Sequence, residues 1–246
     1  IYPEKQVRRL QRIRRLLDQG LRPGKLLALN EQDLDKLEAD LYAEQATPLD
    51  DSVAQLLVAI RQADIHRLDA LLQQLYQQQG MRDFILQTVA PLIKATGEAW
   101  AQGHLQVFQE HILSEQLRRF LKTQIVQQVT AKPARIILAT LPGETHTLGL
   151  LMVEAMLASQ GRAAINLGGE VPMDQIKNAV EQFEAETFGI TFSAAYPYKH
   201  IRPHLIELRD LLPAEVTIWT GGEGVHRLRK LPDGVMKFKT LDTMPL

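Results

Sequence analysis

The chain is 246 residues long, 45% hydrophobic and 23% charged, with a formal net charge of −1. That balance suits a globular protein of one large or two ordinary domains with real cores. It has no cysteine, which excludes disulfides, iron–sulfur clusters and thiolate zinc sites. No apolar run approaches the roughly 20 residues of a membrane span. No charged-then-apolar leader opens the sequence, so a cytoplasmic address is expected. The near-zero charge hides a segregation. Residues 1–25 hold eight Lys/Arg against Glu4 and Asp18, whereas residues 26–46 hold only Lys36 against six acids.

Residues 1–46 read as helical. Val7, Leu10, Ile13 and Leu17 recur at three- and four-residue spacing, Pro3 suits a first helical position and Gly20 an exit. "PGKLLAL" and an acidic helix from about Asn30 follow. Arg8, Arg9, Arg12 and Arg15 would line the outer face of the first helix, as a solvated face or as a surface for phosphates. The chain opens at Ile1 inside this helical pattern and reads as a fragment or a trimmed product.

"ATPLDD" punctuates the chain, and four amphipathic patterns occupy residues 49–130. The first begins on an acidic cap. The second carries Leu68, Leu71, Leu72 and Leu75 on one stripe. The third contains Pro91 and is expected to bend there, and the fourth is the longest. Short connectors between such helices predict a four-helix bundle, with its many glutamines on solvated faces.

Residues 133–246 change character. "ARIILAT", "RAAINLG", "TFGITFS", "EVTIWTG" and "VMKFK" alternate with helical patterns near 147–160, 173–185, 198–211 and 223–230. This alternation predicts a parallel five-stranded sheet covered on both faces, in the flavodoxin-like doubly wound order. The whole is thus expected to be an α and α/β multidomain chain: a helical remnant over 1–46, a bundle over 49–130 and a Rossmann-like sheet domain over 133–246. In such sheets ligands bind beyond the carboxyl ends of the strands, at the topological switch point.

Glu144 and His146 lie just past the first strand, Ser193 just past the third, and Gly221–Gly222 just past the fourth, so one crevice should collect them. In a non-helical turn, residues two apart can point to the same side. A carboxylate there can accept the N–H of one imidazole nitrogen, fix the tautomer, and leave the other nitrogen a better metal ligand. The alternative is a helix-capping or merely exposed histidine. Gly149 would let a bulky planar group approach the backbone. One histidine and one acid make too few ligands for a zinc cage, so the metal would bring its own equatorial ligands. "GGE" at 168–170 reads as a plainer turn.

Glu144-Thr145-His146-Thr147-Leu148-Gly149 resembles the Asp-x-His-x-x-Gly signature of cobalamin-binding modules, with Glu replacing Asp. Ser193 resembles the serine of their second motif, although Ala195 stands where a larger apolar residue is usual. Gly221-Gly222 matches their terminal Gly-Gly. The resemblance implies that His146 is the lower axial cobalt ligand, with the nucleotide tail threading past Ser193 and the glycines. Trp100, followed nine residues later by Glu110-His111, resembles the Trp-x9-Glu-His signature of CarH-like light-responsive regulators. There the bundle covers the upper corrin face, the tryptophan covers the adenosyl group, and Glu-His contacts it; adenosylcobalamin is therefore the favoured cofactor. The N-terminal "IYPEKQVRRLQRIRRLLDQGLRPGKLLAL" resembles the later part of a MerR-type winged helix-turn-helix domain, without its base-reading helix. That likeness implies DNA as a partner, with Arg8, Arg9 and Arg12 at its phosphates.

The expectation is a cobalamin-dependent transcriptional regulator, a repressor without turnover whose DNA binding is coupled to the cofactor through homo-oligomerisation. Two rivals are a corrinoid carrier protein of a methyltransferase system, and a regulator that has lost cobalamin and answers to a protein partner. The basic N-terminal helix and the Trp100, Glu110, His111 set argue against the carrier. Intact His146 argues against the second rival. CarH-like photoreceptors carry a histidine directly after the tryptophan, which captures cobalt after illumination; here it is Ala101, so a weakened or absent light response is expected.

Overall fold

The computed structural model describes residues 6, 9–10, 12–13, 16–17, 21, 23–37, 50–128 and 133–245. Pro3, Val7, Arg8, Arg15 and Gly20, singled out above, lie outside the described residues. In the N-terminal part, the short helix Pro23–Leu27 and a helix over 31–37 enclose a small core of Ile13, Leu16, Leu26 and Leu34. Leu10, expected on the apolar stripe, is exposed, and Leu16 takes the buried place. Arg9 and Arg12 do not project from an outer face. They turn onto the acidic helix, where both reach Glu31 (2.8 and 3.0 Å), and Arg12 also pairs with Asp35 at 2.5 Å.

The bundle comprises α1 (Asp51–Arg61), α2 (Ile65–Asp83), α3 (Ala90–Ala101) and α4 (Val107–Gln128). Asp50 and Asp64 cap α1 and α2, accepting the backbone N–H of Ser52 and Arg67. The irregularity expected at Pro91 lies upstream of it. Gly80 breaks α2 with φ 71° and ψ 170°, a conformation open to glycine, and Phe84–Val89 then forms a π-helical segment. Pro91 falls in the first turn of α3, where its missing N–H costs little. Nor are the glutamines all solvated: Gln116 and Gln124 are buried, and Gln128 donates to the Tyr76 hydroxyl at 2.6 Å.

The C-terminal half carries five parallel strands: β1 (Ile136–Ala139), β2 (Ile165–Gly168), β3 (Thr187–Thr191), β4 (Thr217–Gly221) and β5 (Val235–Lys237). Their order is β2-β1-β3-β4-β5, the flavodoxin-like order, and the chain reverses direction of travel between β1 and β3. Helices α5 (Leu148–Ala158), α6 (Met173–Gln182) and α7 (Tyr198–Leu211) connect the strands. The helix expected at 223–230 is a single 3-10 turn, Glu223–Val225. Gly224 instead gives its N–H to the Phe192 carbonyl beyond β3.

Helix α5 joins the two halves. Leu150, Val153 and Leu157 pack on the sheet with Ile136, Leu138 and Trp219. Leu151, Ala155, Met156 and Ala158 enter the bundle core beside Leu68, Leu117 and Leu121. An α-helix buried on opposite faces needs the nearly unbroken apolar run seen here, and each fully buried leucine contributes about 1.5–3 kcal/mol. The loop leading into α5, residues 140–147, is thereby held where sheet and bundle meet. No described helix is long and apolar enough to cross a membrane.

Candidate functional site

The loop between β1 and α5 is built around a buried carboxylate. Glu144 is 1% exposed. One of its oxygens accepts the backbone N–H of His146 at 2.9 Å and lies 2.7 Å from His146 Nδ1. The other accepts the backbone N–H of Ser193 at 2.7 Å, tying the β1 loop to the β3 loop across the switch point. Burial by itself would push the Glu144 carboxyl up. The bonds from His146 and Ser193 outweigh it and hold the group below its ordinary value. The same bond, against the opposing effect of burial, raises the pKa of His146, with the Glu144 and Glu110 charges adding to it.

Three neighbours fix the loop. Thr140 is buried at the end of β1 and donates its hydroxyl to the Glu144 carbonyl at 2.5 Å. It also accepts the Glu170 N–H at 3.1 Å. Glu170 in turn accepts the N–H of Gly143, a glycine at φ 85°. The 168–170 turn is therefore a brace for the loop rather than a plain turn. Thr147 precedes α5, and its hydroxyl accepts a 2.8 Å bond from Arg118 of the bundle.

The result is a histidine clamped at one nitrogen and open at the other. The Ser193 hydroxyl stands 3.2 Å from His146 Nδ1, so Nδ1–H faces the carboxylate and the hydroxyl. Nε2 has no hydrogen-bond partner among the described residues, and the side chain is 62% exposed. This is the tautomer a metal-ligating imidazole needs. Among the described residues no group of three His, Cys, Asp or Glu side chains could hold a bare metal ion. A single open imidazole fits a metal that arrives in its own equatorial ring. Two buried hydroxyls at the same end of the sheet, Thr191 of β3 and Thr220 of β4, lack a partner among the described residues, and a polar group inserted there would satisfy them.

Glycines sort into two kinds. A Cβ at Gly222, already at φ 91°, would lie 2.4 Å from the Phe192 carbonyl oxygen, so the fold itself demands glycine there. A Cβ at Gly149 would have the Thr191 side chain nearest to it, at 3.5 Å or more, and one at Gly221 would meet the Phe238 carbonyl at 3.5 Å. The protein leaves room at both positions.

Residues 134–234 match the B12 binding domain family, and residues 53–123 match a second family of the same description. The chain carries a cobalamin-binding domain. It is 27% identical over 226 residues to the HTH-type transcriptional repressor CarH of Myxococcus xanthus, covering 90% of this chain and 76% of that one. It is also 26% identical over 157 residues to the methionine synthase of Mycobacterium tuberculosis, covering 62% of this chain but 13% of that enzyme. Among solved structures, the monomethylamine corrinoid protein of Methanosarcina barkeri has the same fold. Its TM-score is 0.60 at 15% identity, covering 76% of this chain and 92% of that one.

Around the cobalamin-binding domain, the sheet-side residues singled out from sequence converge: Glu144, His146 and Ser193 by hydrogen bonds, and Gly222 through Phe192 next to Ser193. The bundle-side set is looser. Trp100 sits in the last turn of α3, 39% exposed. Glu110 opens α4 and accepts the Ser114 hydroxyl at 2.7 Å. His111 Nδ1 stands 3.7 Å from it with a largely exposed ring. Of the three, Glu110 reaches His146 electrostatically. Arg118, Thr140 and Glu170 escaped sequence reading: a threonine ending a strand and an arginine mid-helix carry no local signal of what they touch.

Proposed function

We propose that the chain is the sensory part of a cobalamin-dependent transcriptional regulator, with His146 as the lower axial ligand and no turnover of its own. The observation that carries the cobalamin half is His146, held at Nδ1 by a buried carboxylate with Nε2 open. Bound cobalamin supplies the cobalt and its exchangeable upper ligand; the chain's own residues hold and orient it. Glu144 fixes the imidazole tautomer, Ser193 and the Gly221–Gly222 turn would hold the nucleotide tail, and Gly149 would leave room for the corrin. Trp100, Glu110 and His111 would hold the upper ligand, for which adenosyl is the candidate.

The regulator half is supported by length of similarity. The match to a transcriptional repressor covers 90% of the chain, so it extends N-terminal of residue 53 into the acidic segment. In this reading DNA phosphates compete with Glu31 and Asp35 for Arg9 and Arg12, and Arg8 joins them, while cofactor and oligomeric state set DNA affinity together. A second reading, a corrinoid carrier for methyl transfer, is favoured by the bundle-plus-sheet likeness to the monomethylamine corrinoid protein.

One experiment separates the two. The protein is mixed with adenosylcobalamin in the dark, and its absorption spectrum, gel-filtration volume and retention of duplex DNA are followed before and after illumination. The regulator reading expects a histidine-ligated spectrum and a DNA affinity that changes with cofactor. With Ala101 in place of a ligating histidine, it expects little light-driven change in oligomer size. DNA retention indifferent to cofactor, together with capture of a methyl donor protein, would favour the carrier.

A further inference from the structure

Beyond the cobalamin site, the described residues contain one other place where imidazoles are gathered. His200 and His204 lie four residues apart on α7, on one face of the helix. Their rings are stacked, with centroids 5.7 Å apart and planes 16° from parallel. His204 Nδ1 lies 2.8 Å from the hydroxyl of buried Tyr196, and the Tyr196 ring packs against Phe192, its centroid 5.0 Å away. The phenol thus fixes the orientation of the His204 ring. His204 Nε2 and both nitrogens of His200 have no hydrogen-bond partner among the described residues.

A turn of the exposed His200 ring about its side-chain torsions would bring a free nitrogen beside Nε2 of His204, the i, i+4 arrangement by which a helix presents two ligands to one metal ion. Pro203, between the two histidines, has no N–H to give the Lys199 carbonyl. The first turn of α7 therefore lacks one of its own bonds, and a metal bridging residues 200 and 204 would staple that turn.

We propose that His200 and His204 form a chelating site for a borderline divalent cation of the first transition row, Ni2+, Cu2+ or Zn2+. No third His, Asp or Glu among the described residues completes a cage, so water fills the remaining positions. Its two ligands are distinct from His146, although the Tyr196 ring that orients His204 lies beside Gly143 of the 140–147 loop.

The test is titration of the untagged protein with Ni2+ in a non-coordinating buffer, followed by calorimetry and by the proton signals of the seven histidine rings. One ion should bind with a dissociation constant on the order of 10 μM, broadening His200 and His204 first. The double variant His200→Ala with His204→Ala should weaken this binding at least tenfold. His146→Ala should leave it unchanged, since that imidazole also has an open Nε2. Because His200 is exposed and His204 half-buried, the double variant should fold, which circular dichroism checks. Wild-type Ni2+ affinity in the double variant would overturn the proposal, as would loss of the site in His146→Ala or binding no tighter than millimolar.

Discussion

The two sides of the candidate site are built on different principles. On the sheet side, Glu144 is buried and bonded at both oxygens: one holds His146 within its own loop and the other crosses to Ser193 beyond β3. On the bundle side, Trp100 and His111 are exposed, and Glu110 is anchored only one turn along its own helix. Rigid preorganisation keeps the cost of ordering low on binding, so the sheet side is ready for ligand as it stands. The bundle-side residues are not locked: Trp100 and His111 are exposed. In the proposed regulator that asymmetry would matter, because only a part that can still move can report what is bound.

The largest expected effect tests the preformed side. His146→Ala should remove tight cobalamin binding, with a loss of about 100-fold or more, read from the absorption spectrum and from equilibrium dialysis. The exposed ring contributes little packing, so the thermal midpoint of the ligand-free protein should stay near wild type. Unchanged affinity and spectrum would remove His146 from the cobalt. The loose side should respond selectively. Trp100→Ala should lower the affinity for adenosylcobalamin several-fold while leaving hydroxocobalamin, which has no bulky upper group to cover, nearly unaffected. Equal losses for both would mean that Trp100 holds the corrin or the bundle itself.

The same asymmetry governs what the sequence could reveal. The alternation of β-branched runs with helical patterns carried the strand order, because a parallel sheet buried on both faces needs those runs and those crossovers. Glu144 and His146 were legible because two polar residues in a turn that needs only one cap call for an explanation. The glutamines misled: Gln116 and Gln124 satisfy buried positions that composition assigns to solvent. Pro91 also misled, because Gly80 and the π-helical turn took up the irregularity first. Arg118 to Thr147, the tie between the bundle and the ligand loop, joins residues 29 positions apart, a distance over which no local pattern speaks. Arg9 and Arg12 illustrate the limit from the other side: helical spacing placed them on one face, but only the fold could show an acidic helix lying against it.

Gly149 offers a finer test of what the sheet side is shaped for. The protein has room for a methyl group there, and the position lies in the first turn of α5, where alanine is the better helix former. Gly149→Ala should therefore fold with an unchanged or slightly higher thermal midpoint. If the corrin approaches this backbone, the same variant should lose about tenfold in cobalamin affinity, roughly 1.4 kcal/mol. A rise in stability without loss of affinity would mean that the glycine answers to neither protein nor ligand. Gly222→Ala is the control: its Cβ would collide with the Phe192 carbonyl, so it should destabilise the fold whether or not cobalamin is present.

The smallest expected effect lies at the seam, on α5, which both sides share. Glu154 is half-buried there, and its oxygen accepts the Asn166 side-chain N–H at 2.8 Å. Burial pushes its carboxyl above the ordinary value near 4.5, while the Asn166 bond and the Lys122 charge draw it partly back. An acid whose folded-state pKa is raised stabilises the fold fully only below its unfolded value, and that contribution disappears as pH rises through the folded value. At neutral pH the protein therefore bears the cost of an ionised, poorly solvated carboxylate between sheet and bundle. Glu154→Gln keeps an oxygen for Asn166 and removes the charge. Its thermal midpoint should exceed wild type by about 1–3 °C at pH 7–8, and the two should converge below pH 4.5. A lower midpoint for the glutamine at pH 7–8 would mean that attraction to Lys122 outweighs desolvation. The seam would then be held by charge across α4 and α5 as well as by its leucines, and raising the salt concentration should loosen it.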